Sequence, residues 1–202
     1  MHVSELFLSI QGEGRWTGTP SVFVRTTGCN LRCTYCDTPY TSWDPQGVAR
    51  DLEDVVAEVL GYGCEHVVLT GGEPLLLPEI VPLSQRLHAA GLVITVETAG
   101  TVDRPVVADL MSISPKRPNS DPPPGHRWRN RHQSARHQPD VIRRLCRDYD
   151  HQLKFVIDQP DDLEDVTAYL AAFPEIAQDR VWLMPQGVTA EALAAKHEWL
   201  SR

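Results

Sequence analysis

The sequence predicts an α/β fold with mostly parallel strands, and three observations carry that expectation. Short aliphatic runs alternate with stretches of helical period, and the aliphatic runs end in glycine-rich or polar motifs. The 202 residues, 42% hydrophobic and 23% charged, suffice to bury an ordinary core as one domain over 1–202. Such alternation leaves two architectures open, a doubly wound sheet or a partial barrel. In both, a ligand sits at the carboxyl ends of the strands.

Residues 3–10 (VSELFLSI) and 21–26 (SVFVRT) read as strands, and 28–43 as a loop that holds three cysteines. Leu52, Val55, Val56, Val59 and Leu60 then recur at helical spacing. A short buried strand at 66–70 (HVVLT) ends in Gly71-Gly72, and a helix at 78–90 takes Pro78 in its first turn. Strands follow at 92–97 (LVITVE) and 110–114 (LMSIS). The stretch 117–139 is rich in proline, arginine and histidine and almost free of aliphatic residues, so it reads as a long loop, partly disordered. The alternation resumes with a helix at 140–147, a strand at 153–157, a helix at 163–173, a strand at 181–184 and a helix at 190–200. Unusual motifs follow the strands: Gln11-Gly12-Glu13-Gly14, the cysteine loop, Gly71-Gly72-Glu73-Pro74, Glu97-Thr98-Ala99-Gly100, Ser114-Pro115-Lys116 and Met184-Pro185-Gln186-Gly187. They are expected to converge on one rim.

A formal charge of -8 argues against broad binding to nucleic acid or to an anionic membrane. No apolar run approaches the roughly 18 residues of a membrane span. The N-terminus lacks a basic region followed by a long apolar one, so a cytoplasmic location is expected. Five cysteines in that compartment read as metal ligands or buried thiols rather than disulfides.

Three of them, Cys29, Cys33 and Cys36, follow a CxxxCxxC spacing. Thiolates suit zinc and iron–sulfur clusters. Structural zinc takes four protein ligands, which here would require Cys64 from beyond a helix. Three thiolates on a four-iron cube instead leave one iron open to bind a further molecule.

The cysteine spacing after an early strand, with Gly71-Gly72-Glu73-Pro74 after another, resembles the radical S-adenosylmethionine (SAM) superfamily. Gln11-Gly12-Glu13-Gly14, Arg25, Gly28-Cys29-Asn30-Leu31, Cys36-Asp37-Thr38, Thr70 to Pro74, Val96 to Gly100 and Ser114-Pro115-Lys116 occur in order. Together they resemble the 7-carboxy-7-deazaguanine synthase family of queuosine biosynthesis, from Val3 to about Gly187. The resemblance implies a partial (β/α) barrel, one strand short if the chain ends as the sequence does. It implies a lyase that turns 6-carboxy-5,6,7,8-tetrahydropterin into 7-carboxy-7-deazaguanine and ammonia. A 4Fe-4S cluster, S-adenosyl-L-methionine and magnesium (Mg2+) are the implied cofactors. The implied partners are a reductase or flavodoxin as electron donor and a second copy in a homodimer.

Roles follow from the resemblance position by position. Ile10, Gln11, Gly12, Arg25 and Thr70 match substrate-contacting positions, the arginine fork suiting a carboxylate. Cys29, Cys33 and Cys36 match the cluster ligands, and Thr38 the magnesium position, where its alternative is a threonine that caps the loop. Tyr35, Cys36, Asp37, Gly72, Glu73, Ser114, Pro115, Lys116, Met184, Pro185, Gln186 and Gly187 match the cofactor pocket. Glu97 is assigned to ribose hydroxyls and Glu73 to the methionine ammonium. No side chain is assigned as acid, base or nucleophile.

The family's chain usually continues past the last helix, and His151-Gln152 depart from an acidic residue often found there. The 117–139 stretch is a candidate for closing the pocket, with His126, Arg127, Arg129, Arg131 and His132 facing an anionic ligand. A solvated loop is the alternative. Rival functions are a glycyl-radical activase, disfavoured by the isolation of Cys64 and Cys146, and a zinc-binding interaction module.

Overall fold

The computed structural model describes residues 1–201 and places eight strands in one open sheet. In chain order these are β1 (His2–Ile10), β2 (Pro20–Thr26), β3 (Val48–Ala49), β4 (His66–Gly71), β5 (Val93–Thr98), β6 (Leu110–Ile113), β7 (His151–Ile157) and β8 (Val181–Pro185). The helices are α1 (Pro39–Ser42), α2 (Leu52–Gly61), α3 (Ile80–Ala89), α4 (Arg129–Arg136), α5 (Pro139–Asp148), α6 (Asp161–Ala171) and α7 (Ala190–Leu200). The sheet order is β3-β1-β2-β4-β5-β6-β7-β8, parallel from β2 to β8.

Side chains alternate between the two faces with the period of two that extended backbone imposes. Val24, Leu69, Val96, Ile113, Leu153 and Phe155 point into the core under the helices. Their neighbours Arg25, Thr70, Glu97, Ser112 and Lys154 line the cavity on the other face. Pairing puts these polar residues side by side. Arg25 pairs with Thr70, Glu97 with Ser112, and Ser112 with Gln152. Helix α3 buries Ile80, Leu83, Ser84 and Leu87 at helical spacing against this core.

Four expectations change. β1 runs antiparallel to β2, with Ile10 opposite Pro20. Its end therefore lies where the parallel strands begin, and Gln11–Gly14 enter the concave face from the opposite end to the other motifs. β3, a two-residue pairing with His2 and Val3, carried no signal of its own. Helix α3 starts at Ile80, because the Ile80 N–H turns back to Leu77 O (3.2 Å), and Pro78 precedes it.

The 117–139 stretch is ordered. It contains a short 3-10 turn at Pro118–Ser120 and helix α4, whose only buried residue is His132. Arginine, glutamine and alanine favour helix without needing an apolar stripe, so hydrophobic periodicity could not reveal α4. The Arg32 N–H donates to His132 Nδ1 (3.0 Å), and His132 Nε2 lies 3.0 Å from Ser120 Oγ. The ring is thus neutral with its proton on Nε2. Burial pulls its pKa down to about 4. A histidine whose folded pKa is depressed supports the fold above its unfolded value and less as pH falls. Stability is expected to drop between about pH 6.5 and pH 4, and a His132→Gln variant should flatten that slope in urea titrations. An unchanged slope would remove His132 as the cause.

Candidate active site

The concave face encloses a cavity of about 910 Å³. Its lining includes Cys29, Cys33 and Cys36 on one side and Gln11, Glu13, Glu97 and Lys154 at the floor.

The three thiols sit with Leu31, Tyr35 and Ala99 in a small cluster apart from the main core. All are free. Burial raises Cys29 to about 12 and Cys33 to about 11, so any metal has to displace their protons. Cys64 lies ahead of β4, at the far end from the cysteine loop, with its Sγ 3.2 Å from Pro20 O. It cannot complete a zinc site with them. Three thiols face the cavity, and among the described residues no three His, Cys, Asp or Glu side chains close on a single metal ion, which fits a multi-iron cluster with one open iron better than a zinc site.

The loop is held by close backbone packing. A Cβ on Gly72 would lie 2.2 Å from Gly28 O, immediately before Cys29. Gly72→Ala is therefore expected to push the cysteine loop aside and cut the iron bound per chain several-fold. Iron analysis after reconstitution checks this, and full iron content would show that the loop tolerates the shift.

The floor is a charged network. Lys154 Nζ donates to Glu13 Oε2 (2.8 Å) and Glu97 Oε1 (3.1 Å). Gln11 Nε2 also donates to Glu97 Oε1 (3.3 Å), and Thr70 Oγ1 to Glu97 Oε2 (3.0 Å). Burial alone would lower the Lys154 ammonium, but the two carboxylates overturn that and raise it. Burial would likewise raise Glu97, yet Lys154 and the hydroxyl and amide donors bring it below the ordinary carboxylate value. Both groups are charged. Gly14, with φ at 69°, packs on Gln152, and a Cβ there would lie 2.2 Å from its Nε2. Gln152 is fixed at both ends, accepting from Arg15 N (2.8 Å) and donating to Ser112 Oγ (2.9 Å).

Most of the residues expected at the site do line the cavity: Ile10, Gln11, Gly12, Arg25, Tyr35, Cys36, Asp37, Thr38, Thr70, Gly72, Glu97, Ser114, Lys116, Met184, Pro185, Gln186 and Gly187. Two do not. Glu73 is fully buried, and its carboxylate accepts from Leu75 N (3.2 Å), Thr98 Oγ1 (2.8 Å) and Ala99 N (2.8 Å). It clasps the β4 and β5 loops together instead of reaching a methionine ammonium. Pro115 is also buried away from the lining, since side chains alternate about it and only Ser114 and Lys116 face inward. Nor does any residue of 117–139 line the cavity. The mouth is bordered instead by Val188, Leu193, Ala194 and His197 of α7 and its approach.

Arg25 Nε lies 2.7 Å from Glu5 Oε2, without the alignment of a hydrogen bond, and Tyr40 Oη donates to the same oxygen (2.9 Å). Thr38 Oγ1 donates to Asp37 Oδ1 (3.3 Å) and lies 4.0 Å from Cys36 Sγ. Lys154 carries no local signal of its role, because VIRRLCRDYDHQLKFVI reads as a helix followed by an ordinary strand. Its inward direction follows only from the alternation with Leu153 and Phe155.

Comparison with known proteins is consistent across most of the chain. A family model described as the radical SAM superfamily matches residues 23–147. A 7-carboxy-7-deazaguanine synthase of Rhodopirellula baltica is 46% identical over 201 residues, 98% of this chain and 78% of that protein. One from Halobacterium salinarum is 45% identical over 206 residues, 96% and 80% of the two chains. The crystal structure of QueE from Escherichia coli superposes with a TM-score of 0.73 at 24% identity, over 99% of this chain and 89% of that one, a likeness of fold.

Proposed function

Because this chain belongs to the radical SAM superfamily, and within it to the 7-carboxy-7-deazaguanine synthase family, we propose that its cavity turns 6-carboxy-5,6,7,8-tetrahydropterin into 7-carboxy-7-deazaguanine with loss of ammonia. The observation that carries this reading is one cavity with a wall of three thiols and a floor of fixed charges.

When bound, a 4Fe-4S cluster and S-adenosylmethionine would supply hydrogen-atom abstraction, and the protein supplies position and electrostatics. Cys29, Cys33 and Cys36 hold the cluster. Tyr35, Asp37, Gly72, Ser114, Lys116 and Met184 to Gly187 take the adenosyl cofactor, a role supported by their common lining of the cavity. Ile10, Gln11, Gly12, Arg25 and Thr70 take the pterin. Glu97 joins them rather than the ribose, because its partners are Gln11 and Thr70. Thr38, with Asp37 beside it, contributes to a magnesium site completed by substrate and water oxygens, as that ion commonly requires.

The electron donor is a reductase or flavodoxin. A homodimer is part of the same proposal and rests on the family resemblance, since the exposed Trp182 and Leu183 of edge strand β8 border the cavity itself. No helix among the described residues is long and apolar enough to cross a membrane.

Anaerobic incubation of reduced protein with S-adenosylmethionine and the carboxypterin, followed by mass spectrometry, tests the assignment. The deazaguanine product is expected. Formation of 5′-deoxyadenosine without it would indicate a different radical substrate. Arg25→Ala is expected to raise the KM for the carboxypterin at least about tenfold, with Arg25→Lys recovering part, because a lysine keeps the charge but not the fork. Binding of S-adenosylmethionine should stay near normal. If that binding is lost and the pterin KM is unchanged, Arg25 serves the cofactor.

A further inference from the structure

Beside the cysteine loop, but outside the cavity, three guanidinium groups share one indole. The Cζ atoms of Arg32, Arg131 and Arg127 lie 4.8, 5.4 and 5.6 Å from the ring centroid of Trp128. Arg127 and Arg131 are exposed and Trp128 is half-buried. Among the described residues none of these three arginines forms an ion pair. Nearby arginines do, Arg117 with Asp165 and both Arg129 and Arg136 with Asp121. In a chain of net charge -8 this is a local concentration of unmatched positive charge. Like charges held this close repel, so an outside anionic surface would relieve them.

The patch is also fastened to the cysteine loop. Arg32 Nη1 donates to the main-chain O of Cys29 (2.8 Å) and of Leu31 (2.6 Å), and Arg32 N donates to His132 of α4. Since nothing from 117–139 lines the cavity, a molecule seated on Trp128 meets the thiol loop from outside the cavity that takes the substrate.

We propose that Arg32, Arg127, Trp128 and Arg131 form the docking surface for an acidic one-electron carrier protein. The inference rests on the radical SAM reading, and it deepens that reading by giving the donor a location. Docking would let one electron leave the carrier for the iron–sulfur group that Cys29, Cys33 and Cys36 would hold. The carrier ends one electron more oxidised, and no bond of this chain forms or breaks. Cations around an aromatic anchor suit such a short-lived complex, because charge complementarity speeds encounter and salt weakens it.

The test uses the holoenzyme and a recombinant acidic flavodoxin as probe. Binding is measured by fluorescence anisotropy of labelled flavodoxin at low and at physiological salt, alongside turnover driven either by reduced flavodoxin or by dithionite. Arg127→Glu/Arg131→Glu should weaken binding at low salt at least about tenfold, as like charges set against each other across such an interface do. It should also flatten the salt dependence and slow flavodoxin-driven turnover in proportion. Dithionite-driven turnover and iron content should stay within about twofold. The milder Arg127→Gln/Arg131→Gln pair should fall between.

Unchanged flavodoxin binding overturns the proposal, as does an equal fall in dithionite-driven turnover. Equally tight, salt-sensitive binding of a short single-stranded RNA also overturns it, in favour of a general polyanion site. Failure of the radical reading shows separately, as absence of 5′-deoxyadenosine from the unaltered protein with dithionite.

Discussion

Alanine at Cys29, Cys33 or Cys36 is expected to leave a protein that binds little iron, lacks the broad absorption near about 400 nm of iron–sulfur clusters, and forms no 5′-deoxyadenosine. All three line the same cavity, and no other cysteine is near enough to substitute. Cys64 is engaged with Pro20 O and His66 O at the far end of β4. Burial pushes the Cys146 thiol up to about 12, and it packs against the main core under α5. Cys64→Ala and Cys146→Ala should therefore keep colour, iron and turnover. Circular dichroism separates lost ligation from lost folding. Full turnover from any of the three loop variants would refute the cluster assignment.

Lys154→Met is expected to be the most damaging change at the floor. Lys154 is 4% exposed and neutralises two carboxylates that both meet its ammonium group. Removing one member of a buried ion pair leaves the other charge uncompensated, at about 3–5 kcal/mol. The low end applies here, because Glu13 is 42% exposed and water screens it. Thermal unfolding should come earlier, and Glu97 should titrate at higher pH. The KM for the pterin should rise more than the S-adenosylmethionine affinity falls, since Lys154 orders Glu97 beside Gln11 and Thr70. Adding Glu97→Gln should restore stability without restoring turnover. A single variant with normal stability and a normal pterin KM would mean that Lys154 only fills space.

Much of this molecule was legible along the chain. Cys29, Cys33 and Cys36 lie within eight consecutive residues, so their spacing carries their chemistry wherever the loop is placed. The strand at 66–70 and the helix at 190–200 are local patterns of aliphatic and helix-forming residues, and both appear there, the strand running one residue further to Gly71. The glycine, proline and threonine motifs that mark the family are local in the same sense.

Direction and partnership were not local. Nothing in VSELFLSI says that β1 runs against β2, yet that orientation sends Gln11–Gly14 across the floor instead of to the rim. The sequence shows Glu73 as one more polar residue of a cavity motif. Only the approach of β5 supplies the Thr98 and Ala99 donors that draw it into the interior. Helix α4 has no apolar stripe, and its one buried side chain is a histidine bonded to a main-chain N–H about a hundred residues earlier. Lys154 meets Glu13 and Glu97 across 141 and 57 residues of chain. Local chemistry depends on which residues are consecutive. The sign and strength of an electrostatic contact depend on which residues end up within a few ångströms, and only the packed sheet decides that.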